Sequence, residues 1–105
     1  MEQPAISIII PTYNRKDALK RCLDALRKQV LHNAKFEVLV IDDGSAEAIQ
    51  PPVQEYAPIR ITCIRQKQAG ANAARNRGLS EARAPIVLFL NDDTIAEPDL
   101  LARHL

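Results

Sequence analysis

The sequence predicts a three-layer α/β/α domain built on a mainly parallel four-stranded sheet, order 3-2-1-4. Two observations carry that expectation. Four short runs rich in β-branched residues alternate with helix-like segments, giving βαβαβαβα, and such alternation builds a parallel sheet with right-handed crossovers. Three of the runs are nearly continuous in apolar residues, as strands covered by helices on both faces read, and the remaining one alternates as an edge strand does.

The first strand is Ile6-Ser7-Ile8-Ile9-Ile10. A helix follows, because Leu19, Cys22, Leu23, Leu26 and Val30 recur at spacings of three and four, the stripe of an amphipathic helix. Asn14 is its expected N-cap, with Asp17 three residues on. The second strand is Phe36-Glu37-Val38-Leu39-Val40-Ile41. A weak helix is expected between Ala46 and Tyr56, interrupted by Pro51-Pro52. In the third strand, Ile59-Arg60-Ile61-Thr62-Cys63-Ile64, Arg60 and Thr62 oppose the apolar side chains, which marks an edge. An Ala-rich helix over 69–82 follows, with Gly70 and Gly78 cutting into it. The fourth strand is Ile86-Val87-Leu88-Phe89-Leu90, and Pro98 fits the first turn of a last helix over 99–105.

The chain has 105 residues, 47% hydrophobic and 26% charged, which suits one globular domain over 1–105. Its net charge of +1 gives no electrostatic footprint for nucleic acid. Ile8-Ile9-Ile10, stopped by Pro11, is far too short for a spanning helix or a signal-peptide core, so a cytoplasmic chain is expected. Cys22 and Cys63 read as buried free thiols, and His32 and His104 as solvated surface residues. There is no G-x-x-x-x-G-K-[ST] loop and no G-x-G-x-x-G after the first strand, which argues against P-loop hydrolysis and dinucleotide binding. No nucleophile elbow appears either.

The unusual residues follow the strands: Pro11-Thr12-Tyr13-Asn14 after the first, Asp42-Asp43-Gly44-Ser45 after the second, Asn91-Asp92-Asp93-Thr94 after the fourth. Ligands of open α/β sheets sit outside the carboxyl ends of the strands. With the first strand central and the fourth beside it, these loops meet at one crevice. Four carboxylates there would repel and raise one another's pKa, a conflict a divalent cation removes. Mg²⁺ takes one or two carboxylates plus substrate phosphates and waters. Asp92 or Asp93, bridging through a metal to a diphosphate, is one reading of the last loop. The other is a set of exposed turn residues, since Asn and Asp favour turns. A receiver-like signalling domain would want its acid pair after the first strand, where Pro11-Thr12 stands.

Four segments then carry a resemblance. Ile8-Ile9-Ile10-Pro11-Thr12-Tyr13-Asn14-Arg15, Val40-Ile41-Asp42-Asp43-Gly44-Ser45, Gly70-Ala71-Asn72-Ala73-Ala74-Arg75-Asn76-Arg77-Gly78-Leu79 and Phe89-Leu90-Asn91-Asp92-Asp93 resemble, in order and spacing, family 2 glycosyltransferases of the GT-A fold. The resemblance implies the nucleotide-binding half of that fold, a nucleotide-diphosphate sugar donor (UDP-type), a divalent Mg²⁺ or Mn²⁺, and inversion at the anomeric carbon. Pro11 and Tyr13 match the loop against the nucleoside, and Asp43 the carboxylate that accepts from the base. Arg75 matches a basic position near base and phosphates, with packing as its rival role. Asp92 matches the ribose contact, and Asp93 the last acid of the D-x-D motif, which ligates the metal. Asn72 and Asn76 match positions that hold the loops. Asn91 replaces the first acid of D-x-D and carries no charge. In this family the acceptor half, with its general base, follows the metal motif. The chain is therefore expected to be truncated before that half, to name no catalytic base of its own, and to leave the acceptor (glycan, lipid or another hydroxyl compound) open. The alternative is a module that binds a nucleotide sugar and catalyses nothing. Self-association through the sheet edge beside the fourth strand is a further expectation.

Overall fold

A computed structural model describes residues 3–29 and 34–104. It contains β1 (Ile6–Thr12), α1 (Lys16–Leu26), β2 (Phe36–Asp42), β3 (Arg60–Arg65), α2 (Ala71–Glu81) and β4 (Ile86–Phe89). The four strands form one sheet in the order β3-β2-β1-β4, and every pairing is parallel. The expected topology is the observed one.

Alternation along the two central strands builds the three layers. Ile6, Ile8, Ile10, Val38 and Val40 join Leu19, Cys22, Leu23 and Leu26 of α1 in one buried cluster. Ile9, Leu39 and Ile41 point the other way and meet Ala74 of α2. Side chains two apart share a face, so runs that are apolar at every position are what a sheet covered on both sides needs. The helices differ in how they pack. α1 lays a full aliphatic stripe on the sheet, whereas α2 buries only Ala74 and Gly78. At Gly78 an added Cβ would lie 2.5 Å from Ile9 Cγ2, so α2 rides close against β1.

The edges and connections depart from expectation in five places. First, β4 is not covered on both faces: Ile86 and Phe89 are exposed, and among the described residues this strand pairs only with β1. Second, Asn14 does not cap α1. It sits at φ 53° and its side-chain oxygen accepts from Ala46 N–H at 2.8 Å, leaving Arg15 at the N-cap position without a side-chain cap bond. Third, only a 3₁₀ turn over Val53–Tyr56 forms between Ala46 and Tyr56, since Pro51 and Pro52 supply no N–H for a helical ladder. Fourth, the expected last helix is a turn followed by 3₁₀ structure at Ala102–His104. It buries only Leu101, whose N–H donates to the Gln29 side chain. Fifth, Cys63 is only partly buried, while Cys22 is fully so; both are free thiols. Val30, His32 and Leu105 lie outside the described residues. Among those described, no helix is long and apolar enough to cross a membrane.

Candidate functional site

The carboxyl ends of β1, β2 and β4 open on the same side of the sheet, because all pairings are parallel and in register. Backbone and side chain stitch the loops together there. Asp43 N–H donates to Thr12 C=O at 2.9 Å, Asn14 N–H donates to Ser45 Oγ at 2.8 Å, and Thr12 Oγ1 donates to Asp92 Oδ2 at 2.9 Å. The result is an open cleft of about 330 Å³ lined by Pro11, Thr12, Tyr13, Arg15, Asp43, Ala71 and Asp92.

The four strand-end acids, read together from sequence as charges a cation would relieve, fall into three different environments. Asp42 is wholly buried and structural. Its carboxylate accepts from Ser45 N–H, Ile49 N–H and Arg65 Nη1 at 3.0–3.1 Å. Burial alone would push this carboxyl up; hydrogen bonds from Ser45 and Ile49 and the Arg65 charge outweigh it and hold it below the ordinary carboxylate range. Asp43 straps the β3–α2 loop to β2. Its Oδ1 accepts from Gln66 Nε2 and Ala69 N–H, each at 2.8 Å, and its Oδ2 from Gly70 N–H at 3.0 Å. The Gln66 bond, against some desolvation and with help from the two backbone donors, holds this carboxyl low as well. Asp43 is therefore ionised and oriented before any ligand arrives, with acceptor capacity left on Oδ2.

Asp92 and Asp93 form the third environment. Asp92 is buried beside Thr12, and Asp93 is exposed. Arg15 bridges them, with Nη1 at 3.5 Å from Asp92 Oδ1 and Nη2 at 3.5 Å from Asp93 Oδ2. Beneath them Cys22 is pushed up to about 11, first by burial and then by the two carboxylate charges. Among the described residues no group of three or more His, Cys, Asp or Glu could cage a metal. One exposed carboxylate with a second beside it is the donor set that Mg²⁺ or Mn²⁺ accepts when phosphates and waters complete the shell. The residues fit that mode and not an all-protein cage.

Of the residues the sequence singled out, Pro11, Tyr13, Asp43 and Asp92 line this one cleft, and Asp93 joins it through Arg15. Arg75 stands apart: its Nη1 donates to Asn72 Oδ1 within α2 at 3.1 Å, and it does not line the cleft. Arg15 and Gln66 are the participants sequence reasoning missed. Arg15 follows Asn14 directly and could have been found as the only cation in the first loop. Gln66 has no local signal, since its partner is 23 residues away.

Comparison with known proteins gives the site a setting. The family model described as Glycosyl transferase family 2 matches residues 7–105. The validoxylamine A glucosyltransferase of Streptomyces hygroscopicus subsp. limoneus is 38% identical over 108 residues, covering 96% of this chain and 24% of that protein. The S. aureus TarS 1-349 structure in complex with UDP-GlcNAc superposes with a TM-score of 0.79 at 28% identity, over 94% of this chain and 29% of that one. The mannosyltransferase PcManGT from Pyrobaculum calidifontis, in complex with GDP-Man and Mn²⁺, superposes with a TM-score of 0.74 at 26% identity, over 89% of this chain and 28% of that one. The chain spans about a quarter to a third of the length of the curated relatives it matches.

Proposed function

The chain belongs to glycosyl transferase family 2, with the sheet order of the GT-A fold, and from that premise we propose that it holds the donor of an inverting glycosyltransferase. The donor is a nucleoside diphosphate sugar of UDP type, and the sugar passes to an acceptor hydroxyl. The observation that carries this reading is the convergence of Pro11, Tyr13, Asp43 and Asp92 on one cleft, with Asp93 at its rim.

Each residue has a task that its surroundings suit. Tyr13, half-exposed at the cleft, and Pro11 offer the nucleoside a flat apolar wall. Asp43, already fixed by three donors, has acceptor capacity left for an N–H on the base. Asp92, steadied by Thr12, accepts from a ribose hydroxyl. Asp93, exposed and held only by the long Arg15 contact, is the group to ligate a cation. Arg75 reaches the donor only by leaving Asn72. Bound at Asp93, a divalent cation supplies charge neutralisation on the diphosphate. In the single displacement the acceptor oxygen forms its bond to the anomeric carbon as the carbon–oxygen bond to the diphosphate breaks, and the diphosphate leaves with the electron pair. The acceptor hydroxyl's proton passes to a general base, a role given to none of the strand-end acids: Asp42 and Asp43 are engaged by protein donors, and Asp92 and Asp93 face the sugar donor.

The names of the relatives support a transferase over a module that only binds. The S. aureus complex with UDP-GlcNAc supports a UDP donor, and the Mn²⁺ complex of the mannosyltransferase supports a metal. Calorimetric titration with UDP, GDP and dTDP, each with Mn²⁺, tests the reading. UDP is expected to bind best, and Asp93→Ala to weaken it about tenfold or more, the size of one lost charge-assisted contact. Equal UDP affinity with and without Mn²⁺, unchanged in Asp93→Ala, contradicts the metal role.

A further inference from the structure

Arg15 is poorly explained by stability. It occupies the N-cap position of α1 without a side-chain cap bond, where Ser, Thr, Asp or Asn are the favoured residues. A cation there also faces the positive end of the helix dipole. Its side chain is half-exposed, and both of its contacts to the acid loop are 3.5 Å long. Charge-assisted bonds of good geometry are about 2.7–2.9 Å, so the guanidinium spans two carboxylates without forming a fork on either. An exposed pair of this kind is weak and screened.

We infer that Arg15 is an exchangeable counter-ion: it neutralises the Asp92–Asp93 loop when no ligand is bound, and transfers to the diphosphate when a cation takes its place on Asp93. The inference rests on the donor-binding reading above. Its backbone is fixed, since Arg15 C=O accepts from Leu19 N–H at 3.0 Å, while its long side chain lines the cleft. The pivot is thus anchored and the charge is free to move within one side-chain length. A dication at Asp93 repels the guanidinium from the carboxylate, and the incoming diphosphate offers it the planar, bidentate partner that a guanidinium prefers. Arg15 then acts with opposite sign on the two ligands: it competes with a free cation, and it supports a bound diphosphate. Asp93, the more exposed of the two acids, is the one it releases.

The experiment compares the chain with Arg15→Gln and Arg15→Lys in two measurements: Mn²⁺ alone by electron paramagnetic resonance, and UDP in saturating Mn²⁺ by calorimetry. Thermal melts verify folding. Arg15→Gln is expected to bind Mn²⁺ alone several-fold more tightly and UDP with Mn²⁺ about tenfold more weakly, the loss typical of one charged contact. Arg15→Lys keeps the charge and loses the fork, so Mn²⁺ alone should bind as in the parent while UDP weakens. Both affinities moving in one direction, or neither moving in a folded variant, overturns the counter-ion role and leaves the donor site standing. A parent chain that binds neither Mn²⁺ nor UDP overturns the functional reading, and this inference falls with it.

Discussion

Asp43 shows how one residue can serve fold and site together. Three donors converge on its carboxylate, so Asp43→Asn leaves at least one part-buried N–H facing an amide N–H₂. Losing such a bond in a part-buried loop costs about 1 kcal/mol, and the variant's denaturant midpoint should fall accordingly, with UDP binding lost in parallel. Asp42 and Asp43 are both held below the ordinary carboxylate range. Their contribution to stability is therefore complete above that range and drains away as pH falls through it toward their folded values. Unfolding free energy should be flat from about pH 7 to 5 and drop below about 4, the ordinary aspartate value, with a shallower drop in Asp43→Asn. A variant with the parent's acid limb would show that these donors do not bind the ionised form. Without the family resemblance that singles out Asp43, Asp42 and Asp43 read alike as neighbours in one loop. What separates them is the register of β2 on β3, which sets Arg65 opposite Asp42, and a loop closure 26–27 residues long at Asp43. Neither is a local property.

At the scale of elements, the strands were legible because three are compact apolar runs and β3 alternates as an edge strand does. α1 was legible because its stripe is complete. α2 was harder, since it buries almost nothing beyond Ala74 and Gly78, and its Gly78 reads as a helix breaker. The close approach to Ile9 explains the glycine instead. Gly78→Ala would gain about 1 kcal/mol of helix propensity, yet its methyl must displace a stiff β-branched side chain in a packed layer. Overpacking of this kind costs about 1–3 kcal/mol, so the net effect should be destabilising, read as a lowered melting temperature. A rise would mean that α2 can lift from the sheet without loss. Of the two segments expected as helices, the one near 46–56 has apolar side chains to bury, Ile49 and Tyr56 among them, but Pro51 and Pro52 break its hydrogen-bond ladder; the one from 99 onward buries only Leu101, too little to hold a full helix.

For the whole molecule, the covered centre and open edges of the sheet make separate predictions. β4 pairs on one side only among the described residues, and its Ile86 and Phe89 are exposed apolar groups. An open edge of that kind invites another strand. Sedimentation of the chain should reveal self-association that rises with concentration, and a clean monomer throughout would refute it. In alkali the core should loosen. Burial raises the Cys22 thiol from 9.0 to about 11. Burial, then the Asp24 hydrogen bond and charge, raises the Tyr56 hydroxyl from 10.0 to about 12. Both groups hold their protons more tightly when folded, so stability is intact below about pH 9 and declines as pH climbs through 11, which a pH series of thermal melts would follow.

The convergence of three loops on one nucleotide cleft is tested most directly by backbone amide NMR of the chain, titrated with UDP and Mg²⁺ and then with a trace of Mn²⁺. The expected result is shifts confined to Thr12–Arg15, Asp43–Gly44 and Gly70–Ala71, with paramagnetic broadening centred on Asp92 and Asp93. Broadening away from those acids, or shifts gathered instead at the separate cavity between α1 and the loop around Ile49 and Tyr56, would contradict it.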